Sequence, residues 1–266
     1  MNFPGVIALL GFAAAATPGV AADWRYYVGV HDFVTPQVDS HAYGLSGRAT
    51  VDGLTKSGRH YFGSADLFWD HDQDHLDSDH IPIWWQLNAG IDGQWSPDTS
   101  KTRVGWVADI NTRMNTTSSI ERQIKVLPAL VAGYYGDAVQ TSIKGGIGWL
   151  FLEIDDDAPK ERGYTRDTLR NTTVAGAIDA QATFKLGGSC KFSVQGQQWW
   201  GSDQWLQSQY TGAFHIAVGK HERPADLIVS GEYNEYNLDP YAVEGLPPVL
   251  GWDHDFLVRV LLETAW

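Results

Sequence analysis

Cysteine is nearly absent from this chain: Cys190 stands alone among 266 residues, so neither a disulfide framework nor a thiolate-held zinc or iron–sulfur centre can form. Basic residues are also scarce. Nineteen Lys and Arg face 32 Asp and Glu, a net charge of -13 that repels phosphate backbones and removes nucleic acid as a partner. Charged residues make up only 19% of the chain, while aromatics reach 12% and Gly numbers 28, a balance that excludes coiled coil and disorder.

Long apolar runs are missing as well, apart from one at the N-terminus. Residues 6–16 are apolar and Ala-rich, Pro18 breaks the run, and Val20, Ala21 and Ala22 are small. This reads as a secretory signal peptide spanning 1–22, cleaved before Asp23, with 23–266 as the mature chain. No later stretch approaches the ~18–20 apolar residues of a spanning helix. The longest, 126–135, contains Pro128 and Gly133. If the mature chain crosses a membrane it must therefore do so as a closed β-barrel, the other structure that satisfies every backbone polar group in hydrocarbon.

Period-two alternation is what fills the remainder. Trp24, Tyr26, Val28 and Val30 alternate with Arg25, Tyr27, Gly29 and His31, giving one apolar face and one polar or small face. The pattern returns at 43–51, 60–69, 85–92 and 103–111, and further strands are expected near 122–135, 139–152, 172–185, 190–200, 208–218, 226–236 and 253–266. Twelve is an even count, and the connections after odd strands (35–40, 70–80, 112–121, 153–168, 237–251) are mostly longer than those after even strands. The exceptions are 93–100, long for an inner turn, and 201–206, short for an outer loop. The predicted fold is all-β: a single transmembrane up-and-down antiparallel barrel with long loops outside and short turns inside. Aromatics fall at both ends of the apolar rows, with Trp24, Tyr26, Tyr134, Phe184 and Trp266 at the inner end and Trp69, Trp85, Trp149, Phe151 and Tyr210 at the outer. A soluble sandwich would turn its polar face outward and has no use for such girdles.

The last strand ends in Trp266, with Phe256, Val258, Val260 and Leu262 at alternate positions before it and Thr264 as the one departure. It resembles the terminal assembly signal of Gram-negative outer-membrane proteins. That resemblance implies insertion by the barrel-assembly machinery, contact with outer-membrane lipids, and residence in the outer membrane after export through the periplasm. It implies no particular substrate, and no cofactor is expected.

The inward face should carry balanced charge: Arg25, Arg48, Arg103, Lys125, Lys144, Lys185, Lys191 and Arg259 against Asp66, Asp109, Asp179, Glu232, Asp255 and Glu263. Such charges either line a wet pore or pair across the lumen and close it. Phe68, Trp84, Gln86 and Asn88, together with Gln195, Gln197 and Trp199, are the candidate solute-binding residues. Apolar rings beside amides suit a sugar, and packing beneath the loops is the structural alternative. The acidic stretch 70–80 holds five Asp and three His without Lys or Arg. Asp70, Asp72, Asp74 and His75 are weak metal candidates there, since a calcium loop would need Gly where His75 stands and Glu where Ile81 stands. A solvated loop, or loose bridging of divalent cations, is the plainer reading. For catalysis, none of the nine His has Ser two residues after it, the same-face spacing a strand-borne hydrolase would use; Ser78-Asp79-His80 has the reverse order within the charged loop. No catalytic residue is named. Three functions remain open: a porin-like barrel for small hydrophilic solutes such as saccharides, a non-conducting accessory barrel for surface-polymer export or envelope integrity, and a lipid-modifying enzyme.

Overall fold

A computed structural model describes residues 22–71, 82–97, 99–154, 162–219 and 225–264. All but the last residue of the expected signal segment lie outside these, as does Trp266. The strands are β1 (Ala22–Thr35), β2 (Ser40–Leu54), β3 (His60–Asp70), β4 (Ile83–Gln94), β5 (Thr102–Met114) and β6 (Ile120–Tyr135). They continue as β7 (Val139–Ile154), β8 (Arg170–Gly187), β9 (Cys190–Trp200), β10 (Trp205–Val218), β11 (Ala225–Tyr236) and β12 (His254–Glu263). Each pairs antiparallel with its sequence neighbours, and β1 pairs with β12 to complete a closed twelve-stranded barrel. The closing register runs from Tyr27 opposite Glu263 to Val34 opposite Phe256.

Alternation decides which side chains go where. Ile147, Val174 and Leu130 point outward and are 71%, 68% and 63% exposed, whereas the inward Asp66, Arg113 and Arg259 are 5%, 3% and 4% exposed. Apolar surface outside and charge inside reverse the soluble arrangement and match a hydrocarbon surround. Trp24, Tyr26, Tyr134, Trp69 and Trp149 all stand on the exposed outer wall. Phe256, Val258, Val260 and Leu262 of the expected assembly signal share that outward face of β12.

Both ends of the described chain and the shorter turns gather at one rim, the turn end; the longer connections gather at the other, the loop end. The β2–β3 turn shows how a short connection is made: Thr55 N–H donates to Arg59 O at 2.8 Å, and Gly58 takes the left-handed φ of +77° that the reversal needs. At the barrel seam Gly29 faces inward, and a Cβ there would lie 1.9 Å from the Val260 carbonyl oxygen. Only glycine fits at that point.

The largest departure from the sequence expectation is at the loop end of β5. The expected long connection 112–121 contracts to 115–119, because Asn115 folds it into a compact turn. The Asn115 side-chain oxygen accepts from Thr117 N–H at 3.0 Å, and Asn115 N–H donates to Glu121 O at 2.8 Å. β5 thereby lengthens to Met114 and carries Arg113 into the interior.

The wall assignment predicts that unboiled protein migrates differently from boiled protein on an SDS gel. Val260→Arg on the outer wall should cost about 2–4 kcal/mol near mid-membrane and deplete the folded band. Val30→Arg, directly opposite Val260 across the seam, should act alike.

Candidate functional site

The interior is divided into a dry half and a wet half. Towards the loop end, Leu127, Leu150, Leu152 and Ile154 point inward from β6 and β7 and pack with Ala175, Ala177 and Trp199 from β8 and β9. The connections 162–169 and 237–253 fold over this mass, inserting Tyr164, Leu169, Tyr241, Val249 and Leu250. The two connections also clasp each other: Tyr164 donates to Pro247 O at 2.7 Å and Arg162 to Pro248 O at 3.2 Å. Tyr241 bonds Leu152 O at 3.4 Å, and burial pushes its phenol well above its ordinary pKa, so the ring is held neutral. The loop end is plugged.

Beneath the plug lies a layer of paired charge. Asp66 accepts from Arg48 at 2.7 Å and from Arg259 at 3.0 Å, and Arg259 comes within 3.9 Å of Glu232. Across the lumen, Lys144 bridges Asp109 at 2.6 Å and Asp179 at 3.5 Å. At the loop end, beside the plug, Arg113 reaches Asp255 at 3.0 Å and also bonds the Tyr236 hydroxyl; Ser118 donates to the same carboxylate at 2.5 Å and Asn234 at 2.9 Å. Lys125 is fully buried and is held by neutral acceptors, the side-chain oxygens of Gln197 at 3.1 Å and Gln209 at 3.0 Å. Of the two fates open to inward charge, these residues take pairing, mostly between neighbouring or nearby strands and, at Arg113–Asp255, across from β5 to β12.

Among these charge clusters is a cavity of about 250 Å³. Its wall carries Ser64, Gln86, Asn88, Asn111, Gln195, Gln209, Thr211 and Ser230 beside the paired charges, with the Phe62 ring and the His215 imidazole. Further towards the turn end, Gln181, Lys185, Lys191 and Gln195 face inward and yet are exposed. The interior is therefore a cup, open at the turn end and closed at the loop end.

The sequence-predicted binding residues all face inward, but they separate into groups. Phe68 and Trp84 stack face to face, 3.6 Å between ring centres and 6° from parallel, with His31 and Phe33 edge-on around them. Both are at most 1% exposed, so neither ring face is open to a solute. Trp199, also buried, belongs to the plug and donates to Gln197 at 2.9 Å. Gln86, Asn88, Gln195 and Gln197 do line the cavity. Gln195 and Gln197 are committed to Asp179 at 2.7 and 3.2 Å, and Gln86 to Glu232 at 3.4 Å; Asn88 makes no side-chain hydrogen bond among the described residues. Of the metal candidates, Asp72, Asp74 and His75 lie outside the described residues. Asp70 is buried between His31 (2.7 Å) and Trp84 (2.8 Å), and no metal-ligating cluster occurs among the described residues. Sequence reasoning missed Arg113, hidden by the misplaced end of β5, and Phe62, an apolar residue on the polar face of β3.

The fold and its interior define the class: a transmembrane β-barrel of the Gram-negative outer-membrane type. No family model matches the chain, and no curated protein matches it. Among solved structures it is similar to the NanC porin, at 13% identity over 91% of this chain and 100% of that one, with a TM-score of 0.49. It is also similar to the KdgM porin in complex with disordered oligogalacturonate, at 7% identity over 92% of this chain and 99% of that one, TM-score 0.45. The outer-membrane protease OmpT from Escherichia coli matches at 8% identity over 94% of this chain and 99% of that one, TM-score 0.30. These likenesses are of fold alone.

Removing one partner of a buried ion pair strands the other. Arg113→Ala should therefore lower stability by about 3–5 kcal/mol, read from urea unfolding in detergent micelles. The double variant Arg113→Ala with Asp255→Ala should lose less than the sum of the two singles.

Proposed function

We propose that this chain is an outer-membrane barrel that binds and passes small hydrophilic solutes, with the turn end facing the periplasm. Residues 1–22 serve as its export signal, and the strand ending at Trp266 is what the barrel-assembly machinery reads. The single observation that carries the solute reading is the cup: an interior exposed at the turn end that leads to a cavity of about 250 Å³ walled by amides, hydroxyls and paired charges. A barrel with a purely structural role has no need of such a cavity, because apolar packing of the kind seen in the plug would fill its interior.

Passage requires the plug to move. Its two covering connections are joined to each other and to the wall by a small set of hydrogen bonds and apolar contacts, with Gln37 and Asp253 (2.9 Å) tying its edge to the β1–β2 connection. A specific observation also supports a second reading, the non-conducting accessory barrel: the loop-end half is packed as tightly as a soluble core, with Leu127, Leu150 and Ile154 all at 0% exposure.

Planar-bilayer recording of the refolded chain separates the two. The channel reading predicts discrete openings, and it predicts that Tyr241→Ala or Leu250→Ala, each weakening the plug by about 2–5 kcal/mol, raises the open fraction. A silent wild type whose plug variants are silent as well would favour the accessory barrel.

A further inference from the structure

The cavity specifies more about its occupant than that it is hydrophilic. We infer that the cavity takes a neutral pyranose sugar, its C–H face stacked on Phe62; this rests on the solute-binding reading above. The charged groups of the wall are already engaged: Asp66 with Arg48 and Arg259, Lys144 with Asp109 and Asp179, Glu232 with Gln209, Asn234 and, at 3.9 Å, Arg259, and His215 with Asp226. A charged solute would have to break one of these pairs, so the wall selects against ions.

Phe62 is placed as a platform. It faces inward from β3 directly opposite Gly90 of β4, and the tip of its ring lies over that glycine. A Cβ at Gly90 would stand 2.4 Å from Cζ and 2.9 and 3.0 Å from the two Cε atoms. The ring therefore leans across the neighbouring strand, with the His60 imidazole beside it at 5.8 Å and 28°. The ring is partly packed on the apolar cluster that holds Val107 and Leu127, and the residue also lines the cavity. Glycine at position 90 is what allows the ring to lie down.

Uncommitted hydrogen-bonding groups surround the platform. Ser64 and Asn88, paired opposite each other one rung closer to the loop end, make no side-chain hydrogen bond among the described residues. Across the cavity, Thr211 of β10 also lines the wall and makes no side-chain hydrogen bond among the described residues. A bound hydroxylated ring would give these groups hydrogen-bond partners. An apolar ring face flanked by amide and hydroxyl groups on two sides matches a pyranose, which has flat C–H faces and hydroxyls at its edge. An acyclic polyol has the hydroxyls without the face.

The test uses the full-length protein refolded in micelles, with D-glucose and D-sorbitol as probes, followed by saturation-transfer NMR, and the same protein in liposomes for osmotic swelling. The expected result is transfer to the glucose ring protons that exceeds transfer to sorbitol about fivefold. Phe62→Leu should abolish that preference, Phe62→Tyr should retain it, and Gly90→Ala, which displaces the ring, should weaken it. Heat-dependent gel mobility checks that each variant is folded. A glucose preference that survives in folded Phe62→Leu overturns the platform and leaves the solute-binding reading standing. Neither transfer nor swelling with either probe in the wild type overturns both.

Discussion

The seam between β1 and β12 is the constraint on which everything else depends. In hydrocarbon an unpaired backbone N–H or C=O has no water to turn to, so an open sheet edge is untenable and the first and last strands must meet. Their register, Val30 opposite Val260 and His31 opposite Arg259, then fixes the facing of every other residue around the ring, since a slip of one position would exchange the two walls. Gly29 belongs to this constraint because the Val260 carbonyl occupies the space any side chain there would need.

Once the apolar face is given to the membrane, the charged face has nowhere to go but inward. Its cost is met by pairing. Asp66 serves two arginines and Lys144 two carboxylates, so ion pairs tie neighbouring and nearby strands along the wall, and Arg113–Asp255 spans from β5 to β12. Where β6 and β7 carry Leu and Ile on the inward face as well, the interior becomes an ordinary apolar core, and the connections 162–169 and 237–253 settle on it. Plug, charge layer and cup are thus three consequences of how inward-facing composition changes along the barrel axis. The cavity is the space left between the charge clusters, where Ser64 and Ser230 are too small to fill it.

Twelve strands and the facing of their residues were legible in the sequence because alternation against lipid is a strong, local signal: a residue such as Val28 or Leu45 has no other reason to recur at period two. The loop-end boundary of β5 was not legible, because near the rim both faces turn polar and the alternation that locates Arg113 fades. That Phe68 and Trp84 point inward could be read from parity. That they stack on each other depends on β3–β4 register, which places them directly opposite, and a single sequence does not display register. The same limit hid Phe62: its meaning comes from Gly90, twenty-eight positions later in the chain and adjacent in space.

The central claim is that a water-accessible polar wall and a lipid-facing apolar wall alternate residue by residue. It is tested most directly by single-cysteine accessibility in a Cys190→Ser background, comparing Gln195→Cys with the adjacent Val194→Cys in refolded protein. The account predicts that a charged, membrane-impermeant thiol reagent labels position 195 readily, while position 194 is shielded by the detergent or lipid belt. Equal labelling, or labelling of position 194 alone, would contradict it.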